Sequence, residues 1–317
     1  MRFYRYAPRR FHRRARRRLA NDASLQPTEP ARGGRDCSTA YDTLASIAVA
    51  WRGSYNPGVC TLAVYFQTSS AYPVVVAANR DEFYDRPAAP PRQRWDHPWI
   101  VAGQDLVAGG TWLGVNAHGL VAGIVNRRSR REPDPTRRSR GQLCLDVLHE
   151  ASVEAACTRA CADPGIRYNA FNLLLVSPEA ACVVGNSSGE MAVTGLQPGL
   201  HLLTNLEVDD SECPRIAKSY GLFETASRQL RPDALPQLLS ALRAILSDHS
   251  TPLDPRSEEP PNNLCVHTER FGTRSSTLLL YSVGERRFRM WHADGAPCET
   301  EYAEIALPAG SNTVGQD

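Results

Sequence analysis

Residues 60–66 read Cys-Thr-Leu-Ala-Val-Tyr-Phe, and after a short gap residues 73–82 read Pro-Val-Val-Val-Ala-Ala-Asn-Arg-Asp-Glu. Val, Ala and aromatic residues dominate both runs, which predicts neighbouring strands over Thr61–Gln67 and Pro73–Asn79. Downstream, Trp112–Asn116 and Leu120–Val125 read as a strand pair around Ala117-His118-Gly119. Gln142–Glu150 reads as a helix, with Ser139 and Gln142 spaced as a capping box, and Val153–Cys161 continues helical. Asn172–Val176, Ala181–Val184, Met191–Thr194 and His201–Asn205 read as successive antiparallel strands. Helices follow at 212–229 and 233–248, the second carrying an apolar stripe of Leu235, Leu238, Leu239, Leu242, Ile245 and Leu246. Ser250–Asn263 is rich in Pro and Glu and reads as an exposed loop. Leu264–His267, Ser276–Val283 and Phe288–His292 read as closing strands. Strands, helices, strands, helices and strands in that order predict an α+β fold, with antiparallel sheets covered by helices.

The sequence divides at residue 60. The first 59 residues hold twelve Arg against four acidic residues and show no sustained period, whereas the rest of the chain is mildly acidic. A disordered Arg-rich head over 1–59, one domain over 60–308 and a tail over 309–317 are therefore expected. The acidic domain argues against nucleic acid as a partner. No run approaches the ~18 apolar residues of a membrane-spanning helix. Nine Cys, odd in number and irregularly spaced, fit free thiols in a reducing compartment. Arg9-Arg10-Phe11 resembles a twin-arginine signal, but the apolar stretch Thr43–Trp51 lies too far from it, so cytoplasmic residence is expected.

Several motifs carry candidate chemistry. Gly185-Asn186-Ser187-Ser188-Gly189 matches the G-x-S-x-G nucleophile pattern, yet a strand rather than a helix follows it, which makes it a hairpin turn. Cys157 and Cys161 share a helix face and read as core thiols, since further ligands at metal spacing are lacking. Cys265 and His267 share a strand face, either as a thiolate–imidazole pair or as one polar neighbour in a buried strand. Four polar clusters remain: Asn79-Arg80-Asp81-Glu82, Gly109–Asn116, Thr204-Asn205 and Gly272–Thr277.

Taken in order with Cys60-Thr61-Leu62, these clusters resemble the NRDE family, also called the transport and Golgi organisation protein 2 family. Asn126-Arg127, Ser139-Arg140-Gly141, Tyr168–Leu174 and Cys265–His267 extend the match, which spans nearly all of 60–280. That family resembles the N-terminal-nucleophile hydrolases, especially the bile-salt hydrolase and penicillin V acylase branch. The resemblance implies a four-layer αββα sandwich and an N-terminal Cys nucleophile. Carried over residue by residue, it implies Cys60 as nucleophile, Asn205 and Asn126 as oxyanion donors and Arg274 as the late active-site Arg. Asn79, Arg80, Asp81, Glu82, Trp112 and Asn116 are implied to bind or orient substrate. The hydrolases carry Arg-x-x-Asp after their second strand; here Asn79 stands in place of that Arg and Glu82 in place of that Asp.

The implied activity is hydrolysis of a small acylated substrate at an amide or acyl bond, with no cofactor required. An N-terminal nucleophile uses its own α-amine, of pKa about 7.7–8.0, as base towards a thiol of about 8.5. Each oxyanion donor contributes about 3–4 kcal/mol to the transition state. Because 59 residues precede Cys60, the amine is free only if translation starts at Val59 through a GTG codon or if a propeptide is cleaved there. If the head is retained, the alternative is a non-catalytic protein handling haem or lipid (acyl-CoA), as the eukaryotic branch implies. In that reading Cys60 or His267 would ligate a non-covalent haem.

Overall fold

The computed structural model describes residues 60–129, 131–187, 189–250 and 263–308. The expected head and tail, and most of the Ser250–Asn263 loop, lie outside the described residues. Among the described residues, thirteen strands and four α-helices follow one another as β1 (Thr61–Phe66), β2 (Val74–Phe83), β3 (Ala88–Asp96), β4 (Trp99–Asp105), β5 (Leu113–Asn116), β6 (Val121–Asn126), α1 (Arg140–Val147), α2 (Val153–Ala162), β7 (Phe171–Val176), β8 (Ala181–Asn186), β9 (Met191–Gly195), β10 (Gly199–Leu203), α3 (Pro214–Ala226), α4 (Leu235–Leu246), β11 (Phe271–Ser282), β12 (Arg287–Ala293) and β13 (Ala303–Ile305). They form a six-stranded sheet, β10-β1-β2-β11-β12-β13, and a seven-stranded sheet, β3-β4-β5-β6-β7-β8-β9. Every pairing between these strands is antiparallel.

Three apolar layers explain why β1 and β2 read as near-continuous hydrophobic runs. Leu62, Val64 and Phe66 of β1 face the second sheet, against Val101, Val115, Val121 and Leu174. Ala63 and Tyr65 point the other way, with Val75 and Ala77, onto Ile216 and Phe223 of α3 and Leu238 and Leu242 of α4. On the far side, Ile100, Ala122, Leu173 and Leu175 pack against Leu143 and Val147 of α1 and Ala156 and Ala160 of α2. The order is helices, sheet, sheet, helices, so strands buried on both faces have no polar face to display. The sheets approach closely at Gly123, where a Cβ would lie 2.6 Å from the Leu62 side chain.

The α+β reading holds, and the structure adds strands that the pattern did not suggest. β3 carries Pro90-Pro91 and Arg92, Arg94, and its register with β4 shifts twice. Proline fits there because β3 is an edge strand, with one backbone rim needing no partner. Gly185–Gly189 lies between the antiparallel β8 and β9, as the hairpin reading requires. Ser139 is the N-cap of α1, but its side chain makes no capping hydrogen bond. Gln142 instead donates to Ala108 O at 3.1 Å, so the capping box is absent. Leu264–His267 is not a strand; only the bridge His267–Gly272 remains of it. No helix among the described residues is long and apolar enough to cross a membrane.

His292 on β12 is buried, with Nδ1 2.9 Å from Thr277 Oγ1, and burial lowers its pKa to about 4. The folded value lies below the ordinary ~6.5, so the unfolded chain takes up the proton first. The associated stability is complete above about pH 6.5 and is lost as pH falls towards 4, to the extent of about 3 kcal/mol. Thermal melts should therefore fall more steeply over that window for the wild type than for His292→Gln. Parallel profiles would exclude His292 as the source.

Candidate active site

The site forms where β1 begins. In the antiparallel register Leu62 lies opposite Leu203 of β10 and Ala78 of β2. All three face the space between the sheets. Two residues beyond Ala78 within β2, Arg80 returns to that same face, and Cys60, just before β1, packs against the same core; Asn205 follows β10 in a bend two residues past Leu203. Cys60 thus lies beside Arg80 on the β2 flank, with the bend that carries Asn205 following β10 on the other flank.

Arg80 is buried, its guanidinium carbon 4.6 Å from the centroid of the Trp112 ring. Its Nη2 lies 3.6 Å from Glu82 Oε2, while Nη1 is buried with no hydrogen-bond partner. Glu82 Oε2 also lies 3.6 Å from Arg86 Nε, and Arg86 Nη2 reaches Asp105 Oδ2 at 2.7 Å. A cation stacked on an aromatic face and tied to one carboxylate is held in place, with a polar edge left over for a ligand.

Asp81 lies on the opposite face of β2, beneath the thiol. It is 3% exposed, accepts from Thr273 Oγ1 at 2.7 Å and meets Arg215 Nη1 at 3.1 Å. Arg215, 2% exposed on α3, also donates to Thr61 Oγ1 at 3.1 Å. Burial pushes the Asp81 carboxyl above its usual range, against the pull of Arg215 and Thr273. The Cys60 thiol donates to the Asp81 backbone carbonyl at 3.7 Å. Burial first, and then the Asp81 carboxylate, push the thiol up to about 12. Behind a peptide bond, Cys60 is therefore protonated and a poor nucleophile.

Two contributors went unassigned in the sequence. Arg140, the first residue of α1, is buried enough to lower its pKa to about 10, and its charge is felt by both Glu82 and Cys60. It reaches the site because Gly110 lets α1 start against the Gly109–Thr111 turn: a Cβ at Gly110 would lie 2.1 Å from the Gly141 backbone. Asn172, buried on β7, donates to Thr204 O at 3.2 Å and Leu206 O at 2.6 Å, the carbonyls either side of Asn205. It is a positioning residue for that loop. Both fall within the matched stretches Ser139–Gly141 and Tyr168–Leu174, and that was the available signal.

Other candidates go elsewhere. Asn79 shares the face of Asp81, and its amide donates to Leu246 O and Leu264 O at 2.8 Å each. It clamps the end of α4 and does not enter the site, because strand alternation turns it to the helix layer. Asn116 donates to Leu148 O and Glu150 O at 2.8 Å, and its Oδ1 accepts from His118 N and Leu120 N. All its capacity is spent on the β5–β6 turn and the end of α1. Arg274 is the bulged residue between Thr273 and Ser275; its Nε is buried without a partner, and its charge acts on the Tyr84 phenol. Asn126 ends β6 opposite Phe171 and shares the face of Ile124, in the helix-side core. It lies at the strand end where Arg140 Nη1 donates to Ala170 O at 2.9 Å.

The sequence profile described as Transport and Golgi organisation 2 matches residues 59–290. The chain belongs to that family. A mouse Transport and Golgi organization 2 homolog is 29% identical over 267 residues, covering 76% of this chain and 95% of the mouse protein. A bovine homolog is 30% identical over 235 residues, covering 67% of this chain and 83% of its own. Among solved structures, a Caenorhabditis elegans N-acylethanolamine-hydrolyzing acid amidase ortholog aligns at TM-score 0.47 and 13% identity, covering 69% of this chain and 92% of that one. Penicillin V acylase from Agrobacterium tumefaciens aligns at TM-score 0.45 and 15% identity, covering 79% of this chain and 100% of that one. The family match begins one residue before Cys60, and the register of β1 with β2 begins one residue after it, at Thr61.

Removing one member of the Asp81–Arg215 pair leaves the other buried and uncompensated. Asp81→Asn is expected to destabilise the fold by about 3–5 kcal/mol. In urea melts the double variant Asp81→Asn/Arg215→Met should lose clearly less than the two single variants added together. Additive losses would mean that the two groups do not act as a unit.

Proposed function

We propose that this family member is an N-terminal Cys hydrolase of small amide- or acyl-linked substrates, active once the peptide bond before Cys60 is absent. The observation that supports the reading is the register of β1 between β10 and β2, with Cys60 at its start opposite Arg80, and with Asn205 two residues past the end of β10. The Cys60 sulfur attacks the carbonyl carbon and its proton passes to the free α-amine. Asn205 donates to the oxyanion; Asn126, implied as a second donor by the motif match, shares the helix-side face of Ile124 and takes no part in this step. Collapse expels the leaving amine or alcohol, which takes the proton and leaves a thioester. Water, deprotonated by the same amine, then releases the acid and restores the thiol. Arg80, steadied by Trp112 and Glu82, and Arg140 supply positive charge for a carboxylate or polar head of the substrate. Arg274 enters this scheme only through its place in the motif.

The thiol held up to about 12 supports the requirement for a free amine, since no histidine is among the groups acting on it. The same observation favours a second reading, a non-catalytic acyl-group binder, for a chain that keeps residues 1–59. A haem version of that reading has less support. The Cys60 thiol is held in its protonated form, and His267 Nε2 already faces Cys298 Sγ at 3.1 Å.

The test is intact mass and N-terminal sequencing of protein from its native host, followed by mass analysis after exposure to a panel of acyl nitroanilides. The expected result for a chain starting at Cys60 is an acyl adduct on Cys60 and release of nitroaniline, both lost in Cys60→Ala. Asn205→Ala should lower kcat by about 10²–10³ while leaving the fold intact. A chain that starts at Cys60 yet forms no adduct with any of the panel would overturn the hydrolase reading.

A further inference from the structure

Far along the chain from Cys60, four metal-ligating side chains converge behind β2. Cys265 Sγ lies 3.4 Å from His267 Nε2 and 3.6 Å from Cys298 Sγ. His267 Nε2 lies 3.1 Å from Cys298 Sγ. His249 completes the group: its ligand nitrogen, that of His267 and the Cys298 sulfur all lie within 4.8 Å of one another. The two imidazoles meet edge to face, centroids 5.9 Å apart.

We infer that Cys265, His267, Cys298 and His249 form a structural site for a zinc-class divalent ion. A tetrahedral ion bound at about 2.3 Å to sulfur and 2.0–2.1 Å to nitrogen holds its ligand atoms about 3.3–3.8 Å apart. The separations among Cys265, His267 and Cys298, 3.1–3.6 Å, lie close to that range, and His249 stands within 4.8 Å of His267 and Cys298, from where a side-chain rotation would bring it in as the fourth ligand. Two sulfurs and two imidazoles are the donor set of closed zinc sites, and soft thiolates select against magnesium or calcium. On binding, both thiols release their protons to solvent, and two thiolates neutralise the two charges of the ion.

The backbone already holds this arrangement. Cys265 N donates to Asp248 O at 2.9 Å, which ties the Cys265–His267 segment to the chain next to His249. Thr300 N and Glu299 N both donate to Ala296 O, closing the turn that carries Cys298. The ion would therefore staple three pieces far apart in sequence: the exit of α4, the 264–267 segment and the turn after β12. That segment reaches the candidate active site, because Val266 N donates to Thr273 Oγ1, which in turn donates to Asp81. The site has a structural role and stands independently of the hydrolase reading.

A second thiol group, Cys157 and Cys161 of α2 with Cys182 of β8, interacts through sulfur contacts. It serves as the internal control. The full chain, purified under reducing conditions and dialysed, should carry about one zinc by elemental analysis. Cobalt exchange should give tetrahedral ligand-field bands and a thiolate-to-cobalt charge-transfer band. Cys298→Ser and His267→Asn, both at half-buried or exposed positions, should lose the ion and weaken the charge-transfer band, with near-ultraviolet circular dichroism reporting whether the fold persists. Cys157→Ser/Cys161→Ser should keep both. A wild-type chain without bound metal or a charge-transfer band would overturn the inference. So would metal that persists in Cys298→Ser, or a Cys265–Cys298 disulfide in place of free thiols.

Discussion

The buried Asp81 carboxylate is the constraint on which the rest depends. It joins four elements: β2, which carries it; β11, through Thr273; α3, through Arg215; and, through Arg215 and Thr61, the start of β1. A carboxylate removed from water must be compensated by charge and hydrogen bonds, and here each compensating group comes from a different element. None of those elements can shift without leaving a charge unpaired. Cys60 precedes Thr61 and follows its placement, so the position of the thiol is fixed by an ion pair on the far side of the strand.

That arrangement also sets the chemistry available to the sulfur. The carboxylates of Asp81 and Glu82 and the burial of the thiol all favour the protonated form, and Arg80 only partly opposes them. A site built to activate a thiol by its surroundings alone would show the reverse balance, with cations dominating. The electrostatics here instead hold the sulfur in its protonated form, so the groups around it do not by themselves make it a nucleophile.

Much of this was legible in the residues, and the part that was not has a physical cause. β1, β2 and the α4 stripe could be read because their apolar periods are set by burial on one or two faces. β3 could not, since Pro90-Pro91 and two arginines contradict strand propensity and are tolerated only at a sheet edge with shifted register. Among the site residues the ambiguity falls on asparagine. Asn79, Asn116, Asn172 and Asn205 are the same side chain at strand ends or in strands. Only the position and face of each decide whether it clamps a helix, closes a turn, steadies a loop or lies in the bend after β10. A one-residue change of register exchanges those faces, and a single sequence does not fix the register. Arg215 was harder still, because a lone arginine on a helix reads as solvated until its partner is located on another element.

The same reasoning accounts for a neutral amide at position 79 rather than a second cation. An arginine on that face would place its charge among the Leu246 and Leu264 carbonyls, in the layer where Arg215 already neutralises Asp81. The neutral amide instead satisfies two carbonyls at the ends of α4 and the 264–267 segment. The cation facing the space between the sheets is Arg80, one residue on and on the opposite face, stacked on Trp112. Charge is thus divided between the two faces of β2: one cation on α3 for the buried carboxylate, another on β2 itself for the open side. Each of the two strand faces keeps its own electrostatic balance, and the thiol lies at the boundary between them.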